Sequence, residues 1–235
     1  MSDRPLAYHH TPGRGPTLVF LPGYASDMTG TKALALEAWA KTHGRACLRF
    51  DYSGCGASPG RFEDGTLEMW RDDALAVIDH LIEGPVTLVG SSMGGWIMLL
   101  VALARPERVA NMVGIAAAPD FTSWGFTEDE KSTLARAGRL EQPSPYSDQP
   151  TVFTRAFWES GESLRVIWPS IAIDCPVRLI HGQKDEDVPW ELSVQLARAI
   201  RSADVQTVLV KDGDHRLSRD ADIGTLLSTI EMLTS

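Results

Sequence analysis

A serine stands between two glycines in Gly90-Ser91-Ser92-Met93-Gly94, directly after the apolar run Val86 to Val89 and before a helical stretch that begins near Met93. A G-x-S-x-G sequence at a strand-to-helix turn is typical of a sharp bend that exposes a nucleophilic serine. Glycines two residues before and after the serine let the two backbones pass closely. Ser91 lacks such a pair of glycines. We therefore predict that Ser92 is the nucleophile.

A serine hydroxyl becomes a good nucleophile only when a neighbouring base accepts its proton. Among the six histidines, His215 follows the predicted strand Val205 to Val210 in the turn Gly213-Asp214-His215, which can present its imidazole above the sheet edge. His181 closes an earlier strand, and we expect a structural role for it. Solvated or packing roles are expected for the others, which are His9, His10, His43 and His80. His215 is the predicted base.

An acidic group must orient that imidazole and stabilise its cation. Asp185 and Asp187 both lie in HGQKDEDVPW, after the predicted strand Val177 to Ile180 and before His215. Either carboxylate could project from the carboxyl edge of the sheet toward the base. We favour Asp185 as the acid and expect Asp187 to cap the turn or the helix that follows.

The tetrahedral intermediate of acyl transfer needs backbone N–H groups that stabilise its oxyanion. Met93 lies at a helix start, where N–H groups are unpaired and the helix dipole favours negative charge. Leu21-Pro22-Gly23-Tyr24 follows another predicted strand, and the second donor of such sites comes from a loop of this kind. We predict the N–H groups of Met93 and Tyr24 as the oxyanion donors. The alternative for Leu21-Pro22-Gly23-Tyr24 is a turn that only ends the strand.

Composition narrows the classes of partner. A net charge of −9 disfavours nucleic acid and anionic membrane surfaces, which proteins bind through clustered Lys and Arg. We expect no nucleic-acid partner. The longest strongly apolar stretch, Trp96 to Ala104, is well short of the roughly 20 residues that cross a bilayer, so no membrane span is expected.

The three cysteines, Cys47, Cys55 and Cys175, lack C-x-x-C spacing, which favours a reducing compartment over a disulfide framework or a thiolate metal site. The N-terminal sequence has no continuous apolar stretch of the kind that a secretion signal needs. These features predict a cytoplasmic location. The proposed chemistry requires no cofactor, and no zinc-hydrolase helix is found, so the predicted metal content is none.

The elements that must position these residues follow one another as strand, helix, strand, helix, which indicates an α/β fold with a mostly parallel sheet. Besides the strands named above, the predicted strands are Thr17 to Leu21, Ala46 to Phe50 and Asn111 to Ile115. The predicted helices are Gly30 to Thr42, Thr66 to Leu81, Met93 to Ala104, Glu191 to Arg201 and Ala221 to Leu233. We expect one domain over residues 1–235.

The alternation breaks once, over residues 119–174, where a helical piece from Glu128 to Gly138 precedes a Pro-rich stretch. A structureless loop of that length is uncommon in a compact domain, so we interpret this segment as an inserted lid. Its aromatic residues could line a pocket for an acyl chain or simply hold the lid onto the sheet. They are Phe121, Trp124, Phe126, Phe153, Phe157, Trp158 and Trp168.

Five segments carry a family resemblance that runs from about Phe20 to Ile230: LPGYASDMTGTKA, RFDYSGCGAS, GSSMGGW, HGQKDEDVPW and DGDHRLS. With them the chain resembles the α/β-hydrolase superfamily, and within it the mitochondrial palmitoyl-protein thioesterases, also called mycophenolic acid acyl-glucuronide esterases, and their bacterial relatives. The resemblance implies an α/β-hydrolase fold, a mostly parallel central sheet with helices on both faces, and an aromatic lid. It also implies Ser92 as nucleophile with Asp185 and His215 as its partners.

The predicted activity is hydrolysis of an acyl ester, acyl thioester or acyl glucuronide through an acyl-enzyme on Ser92. The substrate would be a small molecule or an acylated protein, and the sequence specifies no oligomeric state. The same residues could serve a hydrolase of a carbon–carbon bond or a lactone. A third alternative is a ligand-binding protein that keeps the fold without catalysis, because a fold does not fix a function.

Overall fold

The computed structural model describes residues 5–144, 148–167 and 170–234. The strands are β1 (Tyr8–Thr11), β2 (Arg14–Leu21), β3 (Arg45–Phe50), β4 (Val86–Ser91), β5 (Val109–Ile115), β6 (Arg139–Gln142), β7 (Thr151–Thr154), β8 (Val177–Gly182) and β9 (Val205–Val210). The helices are α1 (Thr31–Thr42), α2 (Leu67–Leu81), α3 (Met93–Ala104), α4 (Phe121–Trp124), α5 (Glu128–Ala137), α6 (Arg155–Ser163), α7 (Glu191–Ala199) and α8 (Asp220–Thr234). Short 3-10 helices lie at Phe62–Asp64 and Pro106–Arg108.

Seven strands form one sheet in the order β1-β3-β2-β4-β5-β8-β9, and β6 and β7 pair separately as an antiparallel hairpin. Within the large sheet, β1 runs antiparallel to β3 and all other neighbours are parallel. The predicted α/β fold with a mostly parallel sheet is therefore confirmed. The strand β1 was not predicted, because its sequence YHHT has no apolar run and three of its four residues are exposed.

Helices cover both faces of the sheet. Leu36 of α1 and Ile230 of α8 belong to one buried cluster, whereas Trp70 of α2 and Ile97 of α3 belong to the other. All residues of the central strand β4 are buried, as expected for a parallel strand with both faces covered. This strand therefore provides a rigid base for the turn that follows it. No helix in the described ranges combines the length and the apolar character that crossing a bilayer requires.

The segment between β5 and β8 contains α4, α5, the β6–β7 hairpin and α6; we call residues 119–174 the inserted segment. Helix α5 begins with a capping box in which Thr127 and Glu130 bond each other's backbone N–H groups, which accounts for the helix predicted at this position. The buried carboxylate of Asp120 accepts hydrogen bonds from the N–H groups of Val166 (2.8 Å) and Ile167 (2.9 Å). The beginning and the end of the inserted segment are therefore joined by one side chain.

Candidate active site

The turn from β4 into α3 places Ser92 at the carboxyl edge of the sheet. Ser92 has φ 55° and ψ −120°, a backbone region that residues other than glycine rarely occupy. Hydrogen bonds hold this backbone from both sides: the Ser92 N–H donates to the Ile115 carbonyl (2.9 Å), and the Ser92 carbonyl accepts from the Ala118 N–H (3.1 Å). The strained conformation is fixed by its surroundings, as is common at functional sites.

Glycines make this turn possible. A Cβ atom on Gly90 would collide with the carbonyl of Gly94, and one on Gly94 would collide with the carbonyl of Leu21. On Gly95 it would overlap the side chain of Ala117. The backbone before Ser92, the first turn of α3 and the loop after β2 therefore approach one another at distances that only glycine permits.

The structure brings together the three side chains that the sequence nominated for acyl transfer. The Nε2 atom of His215 lies 3.1 Å from the Oγ atom of Ser92, and its Nδ1 atom lies 2.9 Å from Oδ2 of Asp185. Ser92 follows β4, Asp185 follows β8 and His215 follows β9. Because the carboxyl ends of parallel strands meet at one edge, residues far apart in sequence form one continuous hydrogen-bond chain.

Asp185 is connected to His215, and backbone hydrogen bonds also hold its carboxylate in place. Its side chain is fully buried, and Oδ1 accepts hydrogen bonds from the N–H groups of Asp187 (2.9 Å) and Val188 (2.8 Å). Burial alone would raise the pKa of this carboxyl, but hydrogen bonds from His181 and His215, together with the Val188 N–H, hold the pKa below its usual range. Asp185 is therefore ionised and can stabilise a positive charge on His215.

Asp187, the other acid considered from the sequence, is exposed. One of its carboxylate oxygens lies within 4.8 Å of ligand atoms on Asp185 and His215, so the three could together face a metal ion. However, both ring nitrogens of His215 are already engaged, one with Asp185 and one with Ser92. This arrangement suits proton transfer better than metal binding.

The predicted oxyanion donors lie beside the serine. A Cβ atom on Gly23 would stand 3.3 Å from the Cβ of Ser92, so the loop that carries Tyr24 packs directly against the nucleophile. Within the described residues, neither the Tyr24 N–H nor the Met93 N–H donates to another residue. Two backbone donors beside Ser92 are thus free to bind a developing negative charge.

The side chain of Tyr24 extends from this loop into the inserted segment. Its hydroxyl donates to the Val152 carbonyl in β7 (2.6 Å), and its ring stacks on Phe153 at a centroid distance of 4.8 Å. Phe157 and Trp70 also contact the ring. Burial raises the pKa of Tyr24, so the hydroxyl keeps its proton and its role as a donor.

A cavity of about 850 Å³ opens above Ser92 and His215, within the range of small-molecule sites. Aromatic residues contribute to its lining, and most of them belong to the inserted segment. They include Phe62, Phe121, Trp124, Phe126 and Phe153. Polar and charged residues also line it, from the loops after β2, β8 and β9, from the start of α1 and from the inserted segment. They include Ser26, Thr31, Lys32, Gln142, Glu186, Asp187, Arg216 and Ser218.

The aromatic residues of the inserted segment divide into two groups. Phe121, Trp124, Phe126 and Phe153 line the cavity, as the acyl-pocket hypothesis requires. Phe157, by contrast, is buried in the core, where its ring contacts Tyr24, which agrees with the packing alternative. Trp158 packs against the same core, whereas Trp168 lies outside the described residues.

Lys32 was not singled out from the sequence, because GTKA reads as an ordinary helix start. Its ammonium group donates to the Arg216 carbonyl in the His215 turn. Burial, and then the nearby charge of Arg216, lower the pKa of Lys32 to about 8. Lys32 thus connects α1 to the turn that carries His215.

Comparison with known proteins agrees with this geometry. A family model described as the alpha/beta hydrolase fold matches residues 16–138. The chain belongs to the α/β-hydrolase family. The mitochondrial palmitoyl-protein thioesterase ABHD10 of Homo sapiens is 44% identical to this hydrolase over 232 residues, covering 97% of the chain and 76% of that protein. The Mus musculus protein of the same name is 43% identical, with coverage of 97% and 78%.

Solved structures give the same result. The hydrolase resembles mouse alpha/beta hydrolase domain-containing protein 10 with a TM-score of 0.92 and 41% identity, over 99% of this chain and 95% of that one. It resembles a putative hydrolase from Agrobacterium vitis S4 with a TM-score of 0.94 and 42% identity, over 100% and 95%. The resemblance inferred from the sequence is confirmed, and the hydrolase is an enzyme of the esterase and thioesterase class.

The predicted cytoplasmic location is wrong, because the relatives that match over 97% of the chain are mitochondrial proteins. The prediction rested on three cysteines without disulfide spacing and on the absence of a secretion signal. Both features suit any reducing compartment, so neither separates the cytoplasm from an organelle.

Proposed function

We propose that this enzyme hydrolyses acyl esters or thioesters through an acyl-enzyme on Ser92. His215 is the base, and the carboxylate of Asp185 orients it. The observation that carries the proposal is the hydrogen-bond chain from Ser92 through His215 to a buried, ionised Asp185 at the base of the cavity. Such a chain converts a weak alcohol into a nucleophile.

In the first step, Ser92 Oγ attacks the acyl carbonyl carbon while His215 Nε2 takes the hydroxyl proton. The carbonyl oxygen becomes an oxyanion that the N–H groups of Met93 and Tyr24 bind. When the intermediate collapses, the bond to the alcohol or thiol breaks, and His215 returns the proton to the leaving group. Water then repeats the sequence on the acyl-enzyme and releases the carboxylic acid.

The inserted segment acts as a lid in this proposal, with its cavity-lining aromatic side chains receiving the acyl chain. The polar and charged side chains of the cavity lining then contact the leaving alcohol or thiol. The relatives named palmitoyl-protein thioesterase support an acylated protein or a small acyl ester as substrate. A long apolar acyl group would bury surface against these rings and bind through the hydrophobic effect.

Replacement of Ser92 by alanine tests the proposal. Ser92→Ala should lower turnover of a p-nitrophenyl acyl ester by at least about 10⁴-fold, because the attacking group is lost. The variant should also lose labelling by a fluorophosphonate probe. Ser91→Ala is the matched control, since it removes a neighbouring hydroxyl, and it should keep activity within a few fold. Near wild-type turnover by a folded Ser92→Ala enzyme would overturn the proposal.

A further inference from the structure

His181 lies at the end of β8, one residue before the strand terminates, and its side chain is fully buried. Both ring nitrogens have partners. Nδ1 lies 2.7 Å from the Ser193 hydroxyl of α7, while Nε2 lies 3.1 Å from Asp185 Oδ2 and 3.1 Å from the Val188 carbonyl. A buried histidine with this many fixed contacts has one orientation.

The partners also determine where the ring carries its proton. Nε2 faces a carboxylate oxygen and a carbonyl oxygen, which are both acceptors, so Nε2 must bear the hydrogen and donate to them. The Ser193 hydroxyl can donate to Nδ1 and thereby stabilise this tautomer. Helix α7 thus fixes the imidazole from one side, and the imidazole in turn contacts Asp185.

His181 contacts the same carboxylate oxygen of Asp185 that His215 contacts. Oδ2 of Asp185 accepts from His181 Nε2 and also from His215 Nδ1. Without His181, a rotation of the carboxylate would be resisted at Oδ2 by His215 alone, which is the group that the carboxylate has to orient. A misplacement of about 1 Å can lower a rate on the order of 100-fold.

We propose that His181 is a positioning residue, which holds Oδ2 of Asp185 in line with His215 and so sets the angle at which His215 meets Ser92. This inference rests on the proposed function, in which Asp185 orients the base. His181 is fully buried and is not part of the described cavity lining, so we expect its effect on the rate of the chemical step rather than on substrate binding.

Two amide substitutions separate this role from a merely structural one. In His181→Gln, the amide nitrogen reaches the position of Nε2 and can still donate to Asp185. In His181→Asn, it reaches only the position of Nδ1. We expect kcat for a p-nitrophenyl acyl ester to fall about 10- to 100-fold in His181→Asn, and by less than about fivefold in His181→Gln. KM should change less than about threefold in both.

Thermal unfolding and the fraction of sites labelled by a fluorophosphonate probe identify the folded enzyme in each preparation. An equal loss of kcat in the two folded variants, or a change confined to KM, would overturn the proposal. If His181→Asn does not fold, Ser193→Ala decides: removing the hydroxyl that fixes the ring should lower kcat several fold at constant KM, and an unchanged kcat refutes the role. An active Ser92→Ala enzyme would instead defeat the proposed function itself.

Discussion

At the scale of single residues, the backbone of Ser92 stores strain at the point where chemistry is proposed. Its positive φ is held by hydrogen bonds to Ile115 and Ala118, and conformations of this kind cost of the order of 1–3 kcal/mol in a residue with a side chain. This backbone conformation points the hydroxyl toward His215. The turn therefore lowers the stability of the fold but fixes the direction of the hydroxyl.

Relief of this strain is measurable. Ser92→Gly should be more stable toward urea unfolding than Ser92→Ala by about 1 kcal/mol, because glycine adopts positive φ without a steric penalty. The two variants both lack the hydroxyl, so the comparison isolates the backbone term. Equal midpoints and slopes for the two unfolding curves would show that the turn carries no strain.

At the scale of secondary-structure elements, Tyr24 connects the loop after β2 with the β6–β7 hairpin. Its N–H is the proposed second oxyanion donor, and its hydroxyl donates to the Val152 carbonyl. The hairpin, which contributes Val152 and Phe153 to the cavity lining, is thus attached to the loop beside Ser92. One side chain therefore connects the inserted segment with the proposed oxyanion donor.

Removal of the Tyr24 hydroxyl should loosen this attachment. We expect the wild-type enzyme to prefer longer acyl chains over acetyl in a series of p-nitrophenyl esters. In Tyr24→Phe, KM for the longer esters should rise about fivefold, as expected from the loss of about 1 kcal/mol, and KM for the acetyl ester should change little. Tyr8→Phe, at an exposed position in β1, is the control.

A wild-type preference for the acetyl ester would contradict the acyl pocket. An equal effect of Tyr24→Phe on all chain lengths would contradict the connection to the hairpin.

Sequence patterns predicted the elements that obey a simple rule. The parallel strands β4 and β8 are short, largely buried runs rich in Val, Leu and Ile, because helices cover both faces. That signal also located the sheet edge where Ser92 and Asp185 were expected. The hairpin β6–β7 was not predicted, since each strand has four residues and Arg139–Gln142 is largely polar. The Tyr24–Val152 contact spans 128 residues, and no local pattern encodes it.

At the scale of the whole molecule, an ionic cluster around the buried Glu37 ties the edge strand β1 and its neighbour β3 to α1. Glu37 lies 2.7 Å from Arg49 and 3.0 Å from Lys41, and it also accepts from the Thr11 hydroxyl (2.8 Å). The Nδ1 atom of His9 stands 2.6 Å away. Burial would raise the pKa of Glu37, but hydrogen bonds from Lys41, Thr11 and Arg49 lower it to about 2.

This cluster should make stability depend on pH. The pKa of Glu37 is lower in the folded enzyme than the ordinary 4.5, so its stabilising effect is complete above about pH 5 and is lost as the pH falls toward 2. Urea unfolding should therefore show a wild-type advantage over Glu37→Gln of roughly 1–3 kcal/mol at pH 7. The advantage should shrink by pH 3; a constant difference would exclude Glu37 as its source.

The carboxylate of Asp120 joins two points of the chain that are 46 residues apart. A segment joined in this way near both ends can change in sequence or length with little disturbance to the sheet, because the entropic cost of loop closure grows only slowly with loop length. Residues between the two joined points can therefore vary in sequence and length while the sheet stays intact, provided that the contacts of Asp120 with Val166 and Ile167 and of Tyr24 with Val152 are kept.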